Sequence, residues 1–472
     1  ALWRRSLCEG FYVRITLAVA FLFMTIGVVA KNGGLHGIGL WLQRFVRGPR
    51  SAQLCALASG LLLFFDDYGN RLVVGATMRS LCDAARVSRE KLAYIVDSTA
   101  SSVAGISLAS SWITYEISQY QPMLTQIVNP DGTAYSAQQA FAAFADAIPF
   151  RFYCLFAMAL VFLVAVLRRD FGPMLRAERR ARREHKPFAD GARLMVAADA
   201  GATEPGAGTP SRAINAVLPL LVLVLGALGM IGMIGAAGRD ETLLWASIAS
   251  LITAVLLTLG QRILPLGQIT AVALRSTKAL GLAVGILFFA WSFGHVCKDL
   301  GTGSFLTAIA RGSMNAIALP LVLFLLAALI AFTTGTSFGT MAILVPNVVV
   351  LAHQIGTDTA FAGSAAAGGT ALVLLCIGAV LEGSIFGLHC SPISDTTLLS
   401  SLGTQCDHLA HVTTQIPYAL LAMATSVLCG YLPMVWLGPS WWPFSLAAGV
   451  AVMVTALLWF GRDPQHTATS TA

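Results

Sequence analysis

LAVAFLFMTIGVVAKNGG (17–34) closes an apolar run that begins near residue 11, and LAVGILFFAWSFGHVCKDLG (282–301) repeats its pattern at an offset near 265. At about 1.5 Å of rise per residue, some 20 apolar residues cross a hydrocarbon core of about 30 Å, so each stretch predicts a transmembrane helix. VRG (46–48) and ARG (310–312) carry the register on. Two copies of one membrane-embedded unit are the simplest reading.

Composition agrees. Of 472 residues, 56% are hydrophobic and 11% charged, and the mean hydropathy is +0.74, whereas a soluble domain carries about 25% charged residues. Runs such as AINAVLPLLVLVLGALGMIGMIG (213–235) are continuously apolar, which excludes a β-barrel of short alternating segments. The net charge of +7 is local: Arg168, Arg169, Arg176, Arg179, Arg180, Arg182, Arg183, Lys186 and Arg193 fall in one connection. That cluster reads as positive-inside topology. It lacks interleaved aromatics and a folded platform, so nucleic acid is not expected as a partner. Nine cysteines without a CxxC pair read as small buried hydrophobes.

The predicted spans are 11–30, 92–118, 141–167, 213–235, 242–259, 281–297, 364–388, 413–437 and 441–460. Two further apolar stretches, 51–83 and 317–355, are interrupted by DDYGN (66–70) and TTGTSFGT (333–340) and read as re-entrant hairpins. With the arginine-rich connection in the cytoplasm, 11–30 runs inward and 281–297 outward, so the repeats are inverted. The expected fold is an all-α polytopic membrane protein of two inverted-topology repeats, each with a hairpin and a broken helix. The expected organisation is 1–167 for the first repeat, 168–212 for a basic cytoplasmic linker, 213–460 for the second repeat and 461–472 for a tail. Two spans precede the second copy without counterparts in the first, and the chain opens on Ala1 without a signal peptide, so an N-terminal truncation is expected. Inverted repeats with broken helices in matching places are the mark of a secondary transporter whose site lies near the bilayer midplane.

Charge inside hydrocarbon is costly, so intramembrane carboxylates are functional candidates. The first hairpin offers Asp66, Asp67 and Asn70, and the polar segment DSTASSVAGIS (97–107) offers Asp97, Ser98 and Thr99. From the second copy come Thr336 and Ser337 at the hairpin tip, then Glu382, His389, Ser391, Ser394, Asp395, Thr396 and Thr397, with Pro392 breaking the helix. Carboxylate, amide, hydroxyl and carbonyl oxygens suit a hard cation such as Na+, and a subset of Asp66, Asp67, Asn70, Asp97, Ser391 and Asp395 is the expected ion site. A carboxylate in such a cavity also holds a proton, which makes competition between Na+ and H+ the simplest route to exchange. Each residue has a plainer reading too. Asp66, Asp67 and Asp395 can cap helices, Asp97 can pair with Lys91 or Arg89, and Glu382 can be a proton relay or a hydrogen-bonded structural group. His389 with Cys390 is a weak transition-metal signal. Lys298 and Asp299 read as snorkelling at a helix end, and His408 and His411 as parts of a solvated loop.

FFDDYGNRLVVGATMR (64–79), SREKLAYIVDSTASSVAGI (88–106) and EGSIFGLHCSPISDTTLLSS (382–401) resemble motifs of the NhaC family of sodium/proton antiporters. The resemblance runs through nearly the whole chain. It implies the ion-transporter superfamily fold, with a transport domain moving in elevator fashion beside a scaffold, and it places ion binding at Asp66, Asp67 and Asn70, at Asp97, Ser98 and Thr99, and at Ser391, Ser394, Asp395, Thr396 and Thr397. The sequence departs at Leu388, where the family pattern GDHCSPISDTT carries an acid. The expected function is Na+/H+ exchange across the bacterial inner membrane, without enzyme activity. No cofactor beyond the transported Na+ and H+ is expected; the lipid bilayer and a possible homodimer are the expected partners. The alternative is a Na+-coupled transporter or exchanger of a small organic acid or amino acid, for which Arg71 is the candidate anion contact.

Overall fold

The computed structural model describes residues 10–64, 67–108, 110–124, 126–128, 133, 139–195, 206, 208–234, 239–277, 296, 299, 300, 315–363 and 365–465. In the first half α1 is Gly10–Lys31, α2 Gly34–Gln43, α3 Pro49–Leu62, α4 Asp67–Ala84, α5 Arg89–Ile106, α6 Ser111–Leu124, α7 Ala140–Ala147, α8 Phe152–Leu167 and α9 Gly172–Arg183. The second half contributes α10 Ile214–Ile234, α11 Arg239–Gly260, α12 Leu266–Ser276, α13 Ala318–Thr334, α14 Ser337–Asp358, α15 Ala365–Cys390, α16 Asp395–Thr404, α17 His408–Thr425 and α18 Trp442–Phe460. Strands are absent among the described residues, as an all-α membrane protein requires.

Four described stretches are long and apolar enough to span alone: Ser337–Asp358, Ala367–Cys390, His408–Leu437 and Pro439–Phe460. Leu428, Trp436 and Trp459 are 62–80% exposed on such helices, apolar surface of the kind that a lipid environment covers. In the main core cluster α15 packs against both α13 and α14, and a smaller cluster joins α1, α10, α11 and α12.

Both interrupted stretches are helix–break–helix units. The second breaks at Gly335, whose φ of 70° is left-handed and whose position a Cβ would bring to 2.7 Å from the Ile393 carbonyl oxygen. Its tip therefore abuts the break that Pro392 makes between α15 and α16. Thr336 caps α14 by accepting from Gly339 N, and Ser394 caps α16 by accepting from Thr397 N. Helix α4 crosses α16 at bare backbone, where a Cβ on Gly75 would meet Gly403 C at 2.7 Å.

Four expectations need correction. The span 92–118 is two helices, α5 and α6, parted where Ser110 Oγ donates to the Ala104 carbonyl. The span 141–167 bends by 48° between Ala140–Phe150 and Phe152–Leu167, at Arg151. The connection 168–212 is not a bare loop: α9 docks, with Ser88 N and Oγ each donating to Glu178 at 2.8 Å and Arg180 pairing with Glu90 at 2.8 Å. His408 and His411 open α17 instead of lying in a loop, because Asp407 caps that helix by accepting from Ala410 N at 2.9 Å. The repeat read at 282–301 falls almost wholly outside the described residues, as do Lys298 and Asp66.

Candidate functional site

Helix breaks carry the chemistry. Asp67 opens α4, so a carboxylate stands at the helix's positive end, and Arg71 follows one turn later on the same face. Arg71 is fully buried, as are Asp67 and Asp97. Its guanidinium pairs with Asp67 Oδ2 at 2.7 Å through one terminal nitrogen and with Asp97 Oδ1 at 3.1 Å through Nε, and it also donates to Ser101 Oγ. Two carboxylates thus share one permanent cation.

Asp97 gathers further donors from the second half of the chain. Thr397 Oγ1 donates to its Oδ2 at 3.1 Å, Ser400 Oγ to Oδ1 at 3.0 Å and Gln415 Nε2 to Oδ2 at 2.7 Å. The backbone carbonyl of Asp97 accepts from His389 Nε2 at 3.1 Å, and the other ring nitrogen of His389 meets the Tyr153 hydroxyl at 3.0 Å. Asp395, in the first turn of α16, accepts from the Tyr68 hydroxyl at 2.7 Å, which draws it toward the first hairpin. Asn70 Nδ2 donates to the carbonyls of Gly60 at 2.7 Å and Leu63 at 3.0 Å. These bonds fix the amide orientation and leave Asn70 Oδ1 buried as an acceptor with no partner among the described residues.

The expected residues therefore divide. Asp67, Asp97 and Thr397 converge on the Arg71 centre, with His389 attached through the Asp97 backbone, Asp395 reached through Tyr68, and Asn70 one turn beyond Asp67 on α4. Ser98 is buried on α5, while Thr99 bonds back to the Ile95 carbonyl of its own helix at 2.7 Å. Ser391 donates to the Phe332 carbonyl at 2.8 Å, tying the two breaks together, and Thr396 meets Ser394 Oγ at 3.0 Å. Thr336 and Ser394 act as caps, and Ser337 is the buried first residue of α14. Asp97 pairs with neither Lys91, which takes Asp170, nor Arg89, which takes Asp83 at 3.0 Å.

Glu382 belongs elsewhere. It accepts from Arg151 Nε and Cys154 N, and Arg151 also grips Glu116 in bidentate fashion at 2.9 and 3.1 Å. All three side chains are at most 1% exposed. Sequence reading missed Glu116 and Arg151, together with Ser400 and Gln415. For the charged two the signal was present: Arg151 sits between AIPF (147–150) and FYCLFAMALVF (152–162), a place no cation occupies without a partner. Among the described residues no group of three or more His, Cys, Asp or Glu is placed to hold a metal ion.

The sequence model of the Na+/H+ antiporter family matches residues 103–436. An uncharacterized protein of Haemophilus influenzae is 31% identical over 438 residues, covering 89% of this chain and 78% of that protein. In fold the chain is similar to the Alcanivorax borkumensis YdaH transporter, with a TM-score of 0.50 at 14% identity over 92% of this chain and 87% of that one. Against the Neisseria gonorrhoeae MtrF structure the TM-score is 0.46 at 12% identity, over 94% of this chain and 80% of that one. The resemblance read from the DDYGN, DST and SPISDTT motifs holds, and this chain, a multi-pass membrane protein of transporter fold, belongs to the Na+/H+ antiporter family.

Proposed function

We propose that the protein exchanges Na+ for H+ across the bacterial inner membrane by alternating access, with Asp67, Asn70 and Asp97 at the ion-binding centre. One observation carries the reading: Asp67 and Asp97, both fully buried, share the single guanidinium of Arg71, so one negative charge of the three groups is uncompensated. An unbalanced charge in a low-dielectric interior favours uptake of one monovalent cation, and either Na+ or H+ restores neutrality. The unpartnered Asn70 Oδ1, one turn from Asp67, supplies the kind of neutral oxygen that Na+ needs when it sheds water. Two inverted repeats with paired hairpins, and movement of the hairpin-bearing part past the rest, are the corresponding transport mechanism.

Exchange of an organic anion at Arg71 is disfavoured, because four of its five N–H donors are spent on the Asp67 carboxylate and carbonyl, Asp97 and Ser101. The test is a pH-probe assay in proteoliposomes that scans Na+, Li+, K+ and candidate organic solutes. An imposed Na+ gradient is expected to drive H+ movement in the wild type, and Asp67→Asn to abolish it while the protein still inserts and folds. Undiminished exchange in Asp67→Asn removes that residue from the mechanism. H+ movement driven by an organic solute and not by Na+ overturns the reading.

A further inference from the structure

Helix α16 and the first turn of α17 place two imidazoles on one hydroxyl. Ser401 Oγ lies 3.0 Å from His408 Nδ1 and 2.9 Å from His411 Nδ1. The other ring nitrogens are committed as donors: His408 Nε2 to the Pro392 carbonyl at 2.7 Å, His411 Nε2 to Gln415 Oε1 at 2.9 Å. Gln415 Oε1 must be the acceptor, since Gln415 Nε2 spends its two hydrogens on Asp97 Oδ2 and on the His389 carbonyl, at 2.7 and 2.8 Å. If both imidazoles are neutral, both Nδ1 atoms are bare lone pairs. Ser401 then has one hydrogen for two nitrogens and for the Thr397 carbonyl at 3.0 Å. Even with that hydrogen on a ring, the two nitrogens are one hydrogen short, beside a fully buried His411.

One added proton removes the shortage. His408 as imidazolium donates Nδ1–H to Ser401 Oγ, and Ser401 donates its own hydrogen to His411 Nδ1. We propose that His408, Ser401 and His411 form a proton-binding relay that carries H+ from the basic face of the protein to a position one side chain from Asp97. In the transfer, the His408 N–H and the Ser401 O–H break while a new Ser401 O–H and a His411 N–H form. The positive charge moves from His408 to His411 and nothing is oxidised. The outer end lies where the linker docks: His408 is partly buried, and the preceding Asp407 accepts from Arg193 N at 2.8 Å. At the inner end Gln415 alone separates His411 from Asp97. A proton on His411 and a Na+ at Asp97 therefore oppose one another through like charge, and the opposition is reciprocal.

The groups that bear on the pair are Asp97 from α5 and His389 from α15 beside His411, and Arg71 from α4 behind Asp97. Asp407 flanks His408, and Arg89, Glu90 and Arg180 stand nearer the linker around Cys406.

The role in coupling rests on the exchange reading above, while the proton-binding chemistry does not, and two measurements separate them. Nitrogen NMR of the folded protein labelled at histidine, with signals assigned by their loss in His408→Asn and His411→Asn, reports the ring protonation directly. One proton shared by the pair is expected to appear as the pH is lowered with the protein still folded, and Ser401→Ala is expected to decouple the two rings. Two neutral rings at every pH at which the protein stays folded overturn the relay. Calorimetric Na+ binding is then followed against pH. A one-proton linkage changes apparent affinity by up to about 10-fold per pH unit, and His411→Asn is expected to flatten that slope with Na+ binding retained. An unchanged slope overturns the coupling. A wild type that binds no Na+ overturns the exchange reading, while the NMR result still decides the relay.

Discussion

Two centres in this molecule are built from the same parts, two carboxylates around one guanidinium, all buried. Asp67 and Arg71 lie in the first turns of α4 and Asp97 in the middle of α5, among the oxygens of Ser101, Thr397 and Ser400 and an Asn70 Oδ1 unsatisfied among the described residues. Glu116, Arg151 and Glu382 are closed. Arg151 and the Cys154 amide take up all four carboxylate oxygens, and Gly105, whose Cβ would meet the guanidinium at 2.9 Å, seals one side. Formal charge is the same in both. What differs is the surplus of oxygen ligands, and this separates a centre suited to exchanging ions from one suited to clamping α6, α8 and α15 together.

The largest effect is expected at the closed centre. Arg151→Gln leaves two carboxylates buried without their cation, a loss of about 3–5 kcal/mol on the scale of broken buried ion pairs, read as a collapse of the melting temperature in detergent. A stable Arg151→Gln protein with altered ion coupling would make the two centres alike. At the open centre the effect is expected to be functional: Asp97→Asn abolishes Na+-driven H+ movement with a near-native melting temperature. Unfolding of Asp97→Asn instead would assign the Arg71 centre a clamping role as well. Next in size is Gly335→Ala, which forces a Cβ into left-handed backbone against the Ile393 carbonyl; a loss of about 1–3 kcal/mol is expected, with transport falling more than expression because the hairpin tip is displaced from the α15–α16 break. The smallest is Ser400→Ala, which removes one of several donors to Asp97 and is expected to change Na+ affinity by about 1 kcal/mol, some fivefold, in calorimetry.

Much of this was legible in advance. Both interrupted hairpins, the Pro392 break and the candidacy of Asp67 and Asp97 follow from polar and Gly/Pro residues set inside apolar runs, a local signal that survives without tertiary information. The break between α5 and α6 has no such mark: Gly105 and Ser107 fit a continuous helix, and the chain turns there because Ser110 back-bonds to Ala104 and Arg151 lies against Gly105. His411 was misread for the opposite reason. HLAH looks polar enough for a loop, yet Asp407 starts a helix there and burial on Asp97's side turns an apparent surface residue into part of the site's hydrogen-bond network.

Composition and periodicity alone determined that this is a bundle of membrane helices with acidic breaks, because hydrocarbon admits backbone only when its own hydrogen bonds are closed. Which carboxylate meets which cation was decided in three dimensions. Asp97 passes over the nearby Lys91 for Arg71, and Glu382 reaches back 231 residues to Arg151, since the pairing of buried charges depends on which helices cross and not on their separation along the chain.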